Sequence, residues 1–170
     1  MIVSQTNRLT LSKITLKDAP FFVELMNTPG YIKYIGDRNI KSIDDAALYL
    51  ENGILKSYQD NGFSYYKVEL KEDLGNILGI VGILKREQLE YPDIGFAFLP
   101  QNEGKGYAFE ATSELIHLAK EKFNIAKVSA ITLEVNKSSI KLLEKLGLTF
   151  EKKVKPFDND EELLLFAKTL

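Results

Sequence analysis

A short stretch that contains two glycines, Gln-Asn-Glu-Gly-Lys-Gly-Tyr-Ala from Gln101 to Ala108, has the residue types of a phosphate-binding turn. Gly104 and Gly106 carry no Cβ, so the backbone can bend tightly and bring its N–H groups against a ligand. Apolar residues at helical spacing follow, so the turn should lead into a helix whose first amides are unpaired and favour an anion. Lys105 adds a positive charge. The stretch therefore predicts a site for a phosphate or pyrophosphate group.

Two common nucleotide-binding motifs do not fit this stretch. A dinucleotide-binding fingerprint needs a third glycine at the position of Phe109, and a Walker loop needs Ser or Thr at the position of Gly106, directly after the lysine. The flanking patterns are those of a strand over 93–99 and a helix over 107–123. What remains is a glycine turn that joins a strand to a helix.

The other elements must position this turn. Apolar alternation predicts strands over 8–14, 63–70, 77–85 and 127–135, and a final hairpin over 148–154 and 162–168. Helices should begin at the capping-box spacings 15–18 and 42–45, and at Asn136, a good N-cap for a short helix that ends at Gly147. Because helices are inserted among largely antiparallel strands, we predict an α+β fold.

Two local features leave alternatives open. Tyr31, Tyr34 and Ile35 follow the first predicted helix, and they form either a small apolar cluster under a loop, the alternative we favour, or the wall of a ligand pocket. Gly79 and Gly82 lie inside a predicted strand, where glycine indicates a bulge or the close approach of another group.

Composition excludes several classes of site. A chain of 170 residues with 45% hydrophobic and 27% charged residues is expected to fold as one domain around one core. With no cysteine and one histidine, disulfides, thiolate metal sites and a cysteine nucleophile are excluded, and a zinc site or Ser-His-Asp triad is disfavoured. The chain shows no signal core, no membrane-spanning run and a net charge of −2, so we expect a cytoplasmic protein that binds neither membranes nor nucleic acid.

The stretch from Gln101 to Ala108 resembles the acyl-CoA-binding motif of the GNAT superfamily of N-acetyltransferases, in which Gln or Arg, two residues, Gly, one residue, and Gly or Ala bind the pyrophosphate of acetyl-CoA. The longer phrase that begins with Asp-Ile-Gly-Phe at Asp93 resembles the RimJ/RimL-like branch, which acetylates the N-termini of ribosomal proteins. Residues 136–148 resemble the second conserved segment of the family. The resemblance covers essentially the whole chain, and it implies the GNAT fold, a mixed and mostly antiparallel central sheet flanked by helices.

The resemblance also implies how acetyl-CoA would be bound as a cosubstrate, without a metal. In the family, pantetheine lies along the strand before the glycine turn and bonds backbone groups of that strand. The cofactor-binding residues implied here are Phe96, Phe98, Leu99, Gln101, Gly104, Lys105, Gly106, Tyr107, Ala108 and Asn136. Asn136 is expected both to cap its helix and to contact the ligand; the alternative is a helix cap alone.

The resemblance implies two catalytic residues. Ser139 matches the serine proposed as general acid in the RimL-like group, whereas Leu143 stands where many members have a tyrosine, so water is the alternative proton donor. Asp93 is our first choice as general base, although an Asp after a proline also suits a turn or a surface ion pair. Glu69 and Glu134, on two other predicted strands, are the second choices.

The sequence therefore predicts an N-acetyltransferase that transfers acetyl from acetyl-CoA to a primary amine by direct attack in a ternary complex. The acceptor is either a protein N-terminus or a small-molecule amine. The alternatives are a catalytically silent acyl-CoA sensor, which the leucine at position 143 keeps open, and a partner-binding domain without a ligand. The oligomeric state, monomer or homodimer, is left open.

Overall fold

The computed structural model describes residues 1–170, which form one eight-stranded sheet in the order β1-β2-β3-β4-β5-β6-β8-β7. The strands are β1 (Ile2–Gln5), β2 (Leu9–Lys13), β3 (Tyr65–Leu70), β4 (Asp73–Leu84), β5 (Asp93–Phe98), β6 (Lys127–Thr132), β7 (Thr149–Val154) and β8 (Leu163–Thr169). All neighbouring strands pair antiparallel except β5 and β6, which pair in parallel at a single residue pair. The predicted mixed, mostly antiparallel sheet is confirmed.

Six α-helices flank the sheet: α1 (Ala19–Met26), α2 (Pro29–Tyr34), α3 (Ile43–Tyr49), α4 (Lys56–Asn61), α5 (Tyr107–Glu121) and α6 (Lys137–Lys145). A π-helical turn, Leu50–Leu55, joins α3 to α4, so the second predicted helix is continuous from its Ser42 cap to Gly62, which has a φ of +80°. None of these helices is long and apolar enough to cross a membrane.

The two faces of the sheet bury separate apolar clusters. On one face, α5 packs through residues such as Ala111 and Leu115 against β2 to β5. On the other face, α1 to α4 form a layer that packs Phe22 and Leu50 against the sheet. Successive side chains of a strand point to opposite faces, so each residue of β5 faces either α5 or the α1–α4 layer.

Most predicted elements are present; the structure adds two short elements and ends one predicted strand earlier. β1 was not predicted, because its residues are half-buried or exposed and lack a strong alternation. The predicted loop around Tyr31 contains the helix α2, which begins at Pro29 with Thr28 as its N-cap. The predicted strand 127–135 ends at Thr132, because β8 pairs with β6 only as far as that residue.

The glycines of β4 confirm the close approach that their positions predicted. A Cβ placed on Gly79 would lie 2.6 Å from the ring of Phe98. A Cβ on Gly82 would overlap the ring of Tyr65. Each glycine therefore makes room for an aromatic ring from a neighbouring strand.

Candidate active site

The glycine turn begins where β5 ends. A 3₁₀ turn, Pro100–Asn102, follows β5, and the chain then passes through Gly104 and Gly106 with φ values of +70° and +81°. Gly106 is the N-cap residue of the fifteen-residue helix α5. Positive φ values suit glycine and disfavour residues with a Cβ, so both glycines are required by the backbone path. The free amides of the first turn of α5 then form a suitable anion site.

Arg8, directly before β2, contacts this turn, and no sequence pattern indicates this contact. Its guanidinium Nε donates to Glu110 at 2.7 Å, Nη1 donates to the carbonyl oxygen of Lys105 at 3.1 Å, and the group stacks 4.7 Å from the ring centroid of Tyr107. Partial burial alone would raise the pKa of Glu110, but hydrogen bonds from Thr6 and Arg8 outweigh it and lower this pKa. Arg8 thus ties the turn to the first turn of α5 and adds positive charge there.

A gap between β5 and β6 leads away from the turn. The two strands pair only at Asp93 and Ser129, where the amide of Ser129 donates to the carbonyl of Pro92 at 2.9 Å. Backbone groups of successive residues in a strand point to opposite sides. The carbonyl group of Pro92 points to β6, and Phe96 and Phe98 lie an even number of residues further along the strand. Their backbone N–H and C=O groups therefore also point to the β6 side, where they face the gap. These two residues are therefore suited to bond an extended ligand through their backbone.

The remaining predicted cofactor-binding residues differ in how much of each is free to contact a ligand. Gln101 and Lys105 are exposed, and Tyr107 and Ala108 are half-buried at the start of α5. Leu99 differs, because its amide donates to Leu78 and its carbonyl accepts from Asn102. Its backbone is thus already used within the protein, and only its side chain is left to contact a ligand.

The second predicted segment follows β6 and forms the N-terminus of α6. Asn136 caps this helix, because its Oδ1 accepts from the amide of Ser139 at 3.3 Å and from the hydroxyl of Ser138 at 3.1 Å. The capping role is thus observed, and the side-chain amide of Asn136 is left to donate. The half-buried Ser139 uses its backbone amide in the cap. Leu143 is 1% exposed inside an apolar cluster and supplies no polar group.

Asp93 lies at the closed end of the gap, and it is nearly fully buried, with 2% of the residue exposed. Its Oδ1 accepts from Nε of Arg86 at 2.9 Å. Burial raises the pKa of Asp93 to about 6, against the opposing effect of Arg86. A carboxylate with this pKa is ionised at neutral pH and is a stronger base than an exposed one, as a general base requires.

The two alternative carboxylates lie elsewhere. Glu69 is buried, but it lies on β3 and accepts from the amide of Gly75 on β4 at 2.8 Å, so its carboxylate is engaged within the β3–β4 hairpin. Glu134 is exposed and pairs with Lys153 at 3.4 Å. Neither lies on β5, and Asp93 remains the better candidate on position and burial.

Tyr65 is a residue of this site that the sequence did not single out. Its ring crosses from β3 over Gly82 and Gly95, and a Cβ on Gly95 would lie 2.6 Å from its hydroxyl oxygen. Tyr31 and Tyr49 are close enough to act on its pKa, as are Arg86 and Asp93. Tyr31 is both buried in the α1–α4 layer and close to the site, so the two alternatives for that residue are compatible.

The sequence did carry one signal for this cluster. Gly82 was noted as a place of close approach, and its partner across the β4–β5 ladder is Gly95. Paired glycines on adjacent strands indicate that a large side chain lies over both. No comparable sequence pattern indicates Arg86, which lies in the loop before β5.

Comparison with known proteins places this architecture in a family. Residues 8–149 match the model of the acetyltransferase (GNAT) domain. The uncharacterized N-acetyltransferase YoaA of Bacillus subtilis is 24% identical over 150 residues, which cover 88% of this chain and 84% of that protein.

Solved structures share the fold at low sequence identity. The microcin C7 self-immunity acetyltransferase MccE, solved in complex with acetyl-CoA and AMP, has a TM-score of 0.81 at 20% identity and covers 97% of this chain and 94% of its own. Spermidine N-acetyltransferase from Vibrio cholerae, solved with CoA and spermine, has a TM-score of 0.79 at 19% identity, with 96% of each chain covered. With the family model matched over most of its length, the chain belongs to the GNAT family of acetyltransferases.

Proposed function

We propose that this protein transfers an acetyl group from acetyl-CoA to a primary amine by direct attack in a ternary complex. The observation that carries the proposal is the gap between β5 and β6, which has the glycine turn at its open end and the buried Asp93 at its closed end. This arrangement suits a long ligand with phosphates at one end and a reactive thioester at the other. Its solved relative MccE, which binds acetyl-CoA, has the same fold.

Different residues of the chain bind the cosubstrate, accept the amine proton and protonate the leaving group. The turn from Gln101 to Ala108 and the first amides of α5 hold the pyrophosphate, and the backbone of Phe96 and Phe98 bonds the pantetheine arm. Asp93 accepts a proton from the attacking amine, directly or through one water. Ser139, at the N-terminus of α6, gives a proton to the departing sulfur, or water does so in its place.

The charges at the closed end bear on the acceptor. Arg86 neutralises Asp93, and Arg38 adds a further positive charge that acts on Tyr31. A polyamine carries several positive charges and would be repelled here, whereas a single amine with a neutral or acidic body would not. We therefore propose an acceptor with one amine, such as a protein N-terminus, in line with the RimJ/RimL-like sequence phrase.

The proposal is tested by measuring release of CoA thiol from acetyl-CoA with a panel of amines. The panel contains short peptides with free N-termini, the same peptides with blocked N-termini, spermidine and single amino acids. We expect turnover with free N-termini and little with blocked peptides or spermidine. Acetyl-CoA binding by calorimetry, measured on the same preparation, identifies the alternative: binding without turnover of any amine would mean an acyl-CoA sensor.

A further inference from the structure

We propose that the hydroxyl group of Tyr65 donates a hydrogen bond to the carbonyl oxygen of the thioester, and to the negative charge that develops on this oxygen when the amine attacks. This inference rests on the proposed function, because it needs acetyl-CoA in the gap between β5 and β6. It concerns a side chain on β3, two strands away from the gap.

The backbone is built to let Tyr65 reach across the sheet. Tyr65 faces Gly82 on β4, and Gly82 faces Gly95 on β5. A side chain at either glycine would collide with the tyrosine: a Cβ at Gly95 would lie 2.6 Å from the hydroxyl oxygen and 3.2 Å from the nearest ring carbon. The hydroxyl therefore lies directly over the backbone of Gly95.

The hydroxyl shares a face with the proposed base. Ala97 packs against the α1–α4 layer, and residues two apart in a strand share a face, so Gly95 and Asp93 face the same side. Tyr65 packs against this layer as well. An amine acceptor that approaches from the α1–α4 side would thus meet the carboxylate of Asp93 and the hydroxyl of Tyr65 at the same end of the gap.

The hydroxyl is free to bond a ligand. No hydrogen bond contributes to the pKa of Tyr65, and the one buried side-chain oxygen without a partner is that of Thr112. The Tyr65 hydroxyl is therefore unpaired without being sealed from solvent. A polar group in this position gains a hydrogen bond when a carbonyl oxygen arrives, at no cost to an existing one.

The length of β5 between the glycine turn and Gly95 would place the thioester of a bound acetyl-CoA near this hydroxyl. With the pyrophosphate on the turn after Phe98, the extended pantetheine arm runs back along β5 towards Asp93. The gap closes at the Asp93–Ser129 pair, so the reactive end must stop near Gly95. Phe98 and Gly95 are about 10 Å apart at the rise of a β-strand.

The Tyr65 hydroxyl could either donate a hydrogen bond or release its proton, and its raised pKa favours the first role. Burial, with smaller effects of Tyr49 and Tyr31, raises the pKa of Tyr65 above its usual range, so the group holds its proton and donates a hydrogen bond rather than releasing the proton. In the step, the amine nitrogen bonds the carbonyl carbon while an electron pair moves onto the carbonyl oxygen, which Tyr65 bonds. The pair on oxygen then re-forms the carbonyl as the carbon–sulfur bond breaks with its own pair on sulfur. The amine proton passes to Asp93 or water, and the departing sulfur takes a proton from Ser139 or water.

The test compares the wild type with Tyr65→Phe, which keeps the ring and removes the hydroxyl. We expect turnover to fall by about a hundredfold to a thousandfold, as for the loss of other oxyanion donors, with little change in acetyl-CoA affinity or melting temperature. Tyr66→Phe is the matched control, because Tyr66 lies on the same strand but in the cluster on the α5 face. We expect this control to leave turnover unchanged.

A spectroscopic readout separates this inference from the proposed function. Acetyl-CoA labelled with ¹³C at the carbonyl is bound to each protein, and the carbonyl stretching band is recorded by infrared difference spectroscopy. Loss of the hydrogen bond should move the band to higher frequency in Tyr65→Phe and not in Tyr66→Phe. An unchanged band in Tyr65→Phe overturns the inference whatever the turnover. A shifted band in a protein that acetylates no amine supports the contact and overturns the proposed function; failure of wild type to bind acetyl-CoA overturns both.

Discussion

The two ends of β5 offer a ligand different chemical groups: backbone amides at one end and side chains at the other. At the C-terminal end, backbone amides of one continuous stretch form the proposed anion site, and Arg8 donates a hydrogen bond to the carbonyl of Lys105 in that stretch. At the N-terminal end, the site consists of side chains from separate elements: Asp93, Arg86 in the preceding loop, and Tyr65 on β3. The first end is suited to binding, because it offers fixed donors. The second is suited to chemistry, because burial and charge there alter proton affinity.

This difference leads to a general expectation for variants. Changes at the turn should alter acetyl-CoA affinity, and changes at the closed end should alter turnover and its pH dependence. Four substitutions test this division, with expected effects that decrease from Gly106→Val to Arg8→Gln.

Gly106→Val should have the largest effect, a loss of acetyl-CoA affinity of about a hundredfold or more. Gly106 has a φ of +81°, and a Cβ there would lie 3.3 Å from Nη2 of Arg8, so the turn must change its path. Calorimetric titration with acetyl-CoA measures the effect. Gly62→Val is the matched control, since Gly62 has a φ of +80° and open space around it, and it should lose stability but keep affinity. Equal affinity of Gly106→Val and wild type would contradict the proposed pyrophosphate site.

Asp93→Asn should lower kcat/KM by about a hundredfold at neutral pH, because the amide cannot accept the amine proton. The deficit should shrink in alkaline buffer, where solvent supplies free amine. For the wild type, kcat/KM should fall as the pH drops through about 6, where Asp93 takes up a proton. Profiles recorded from mildly acidic to alkaline pH decide the matter, and parallel profiles would exclude Asp93 as the base.

The stability of the same variant supplies the control. The pKa of Asp93 rises from 3.8 to about 6 on folding, so the folded state binds the extra proton and is favoured at low pH. The contribution of Asp93 is fully present below pH 3.8 and is lost as the pH rises through about 6. Relative to Asp93→Asn, the wild type should lose about 3 kcal/mol of unfolding free energy over this interval, measured by urea unfolding. A constant difference would mean that Asp93 is not buried as described.

Ser139→Ala should lower turnover by about tenfold while the Michaelis constant for acetyl-CoA changes less, because a proton donor acts in the transition state. Ser138→Ala is a neighbouring control, since that hydroxyl is exposed and bonded to the capping oxygen of Asn136. Steady-state kinetics with a fixed amine measures both variants. If Ser139→Ala turns over as fast as the wild type, water protonates the thiolate or CoA departs unprotonated.

Arg8→Gln should have the smallest effect, about a threefold loss of acetyl-CoA affinity, because the Arg8–Glu110 pair is partly exposed and such pairs contribute little. Glu110→Gln tells how Arg8 acts. If Arg8 matters by positioning the carbonyl of Lys105, both variants should weaken binding; if its charge alone matters, Glu110→Gln should bind as well as the wild type or better. Unchanged affinity in Arg8→Gln would remove Arg8 from the site.

Local sequence patterns are sufficient to predict most of the helices and strands and the glycine turn. Helix caps, apolar periodicity and glycines act over a few residues, so the capping boxes at Thr15 and Ser42, the turn before α5 and the Asn136 cap were all readable in order along the chain. The elements that these patterns miss, β1 and α2, are short, and their boundaries depend on pairing or on a single cap.

The closed end of the gap is assembled from contacts that no local sequence pattern predicts. The reach of Tyr65 over Gly82 and Gly95 depends on strand register, which joins residues far apart in the chain. The ion pair between Asp93 and Arg86 spans the loop between β4 and β5, and its position at the site depends on how that loop is packed. The burial that raises the pKa of Asp93 likewise comes from the surrounding elements and not from its neighbours in sequence. Local patterns fix the backbone of a turn, whereas desolvation and side-chain contacts arise only after the sheet has formed.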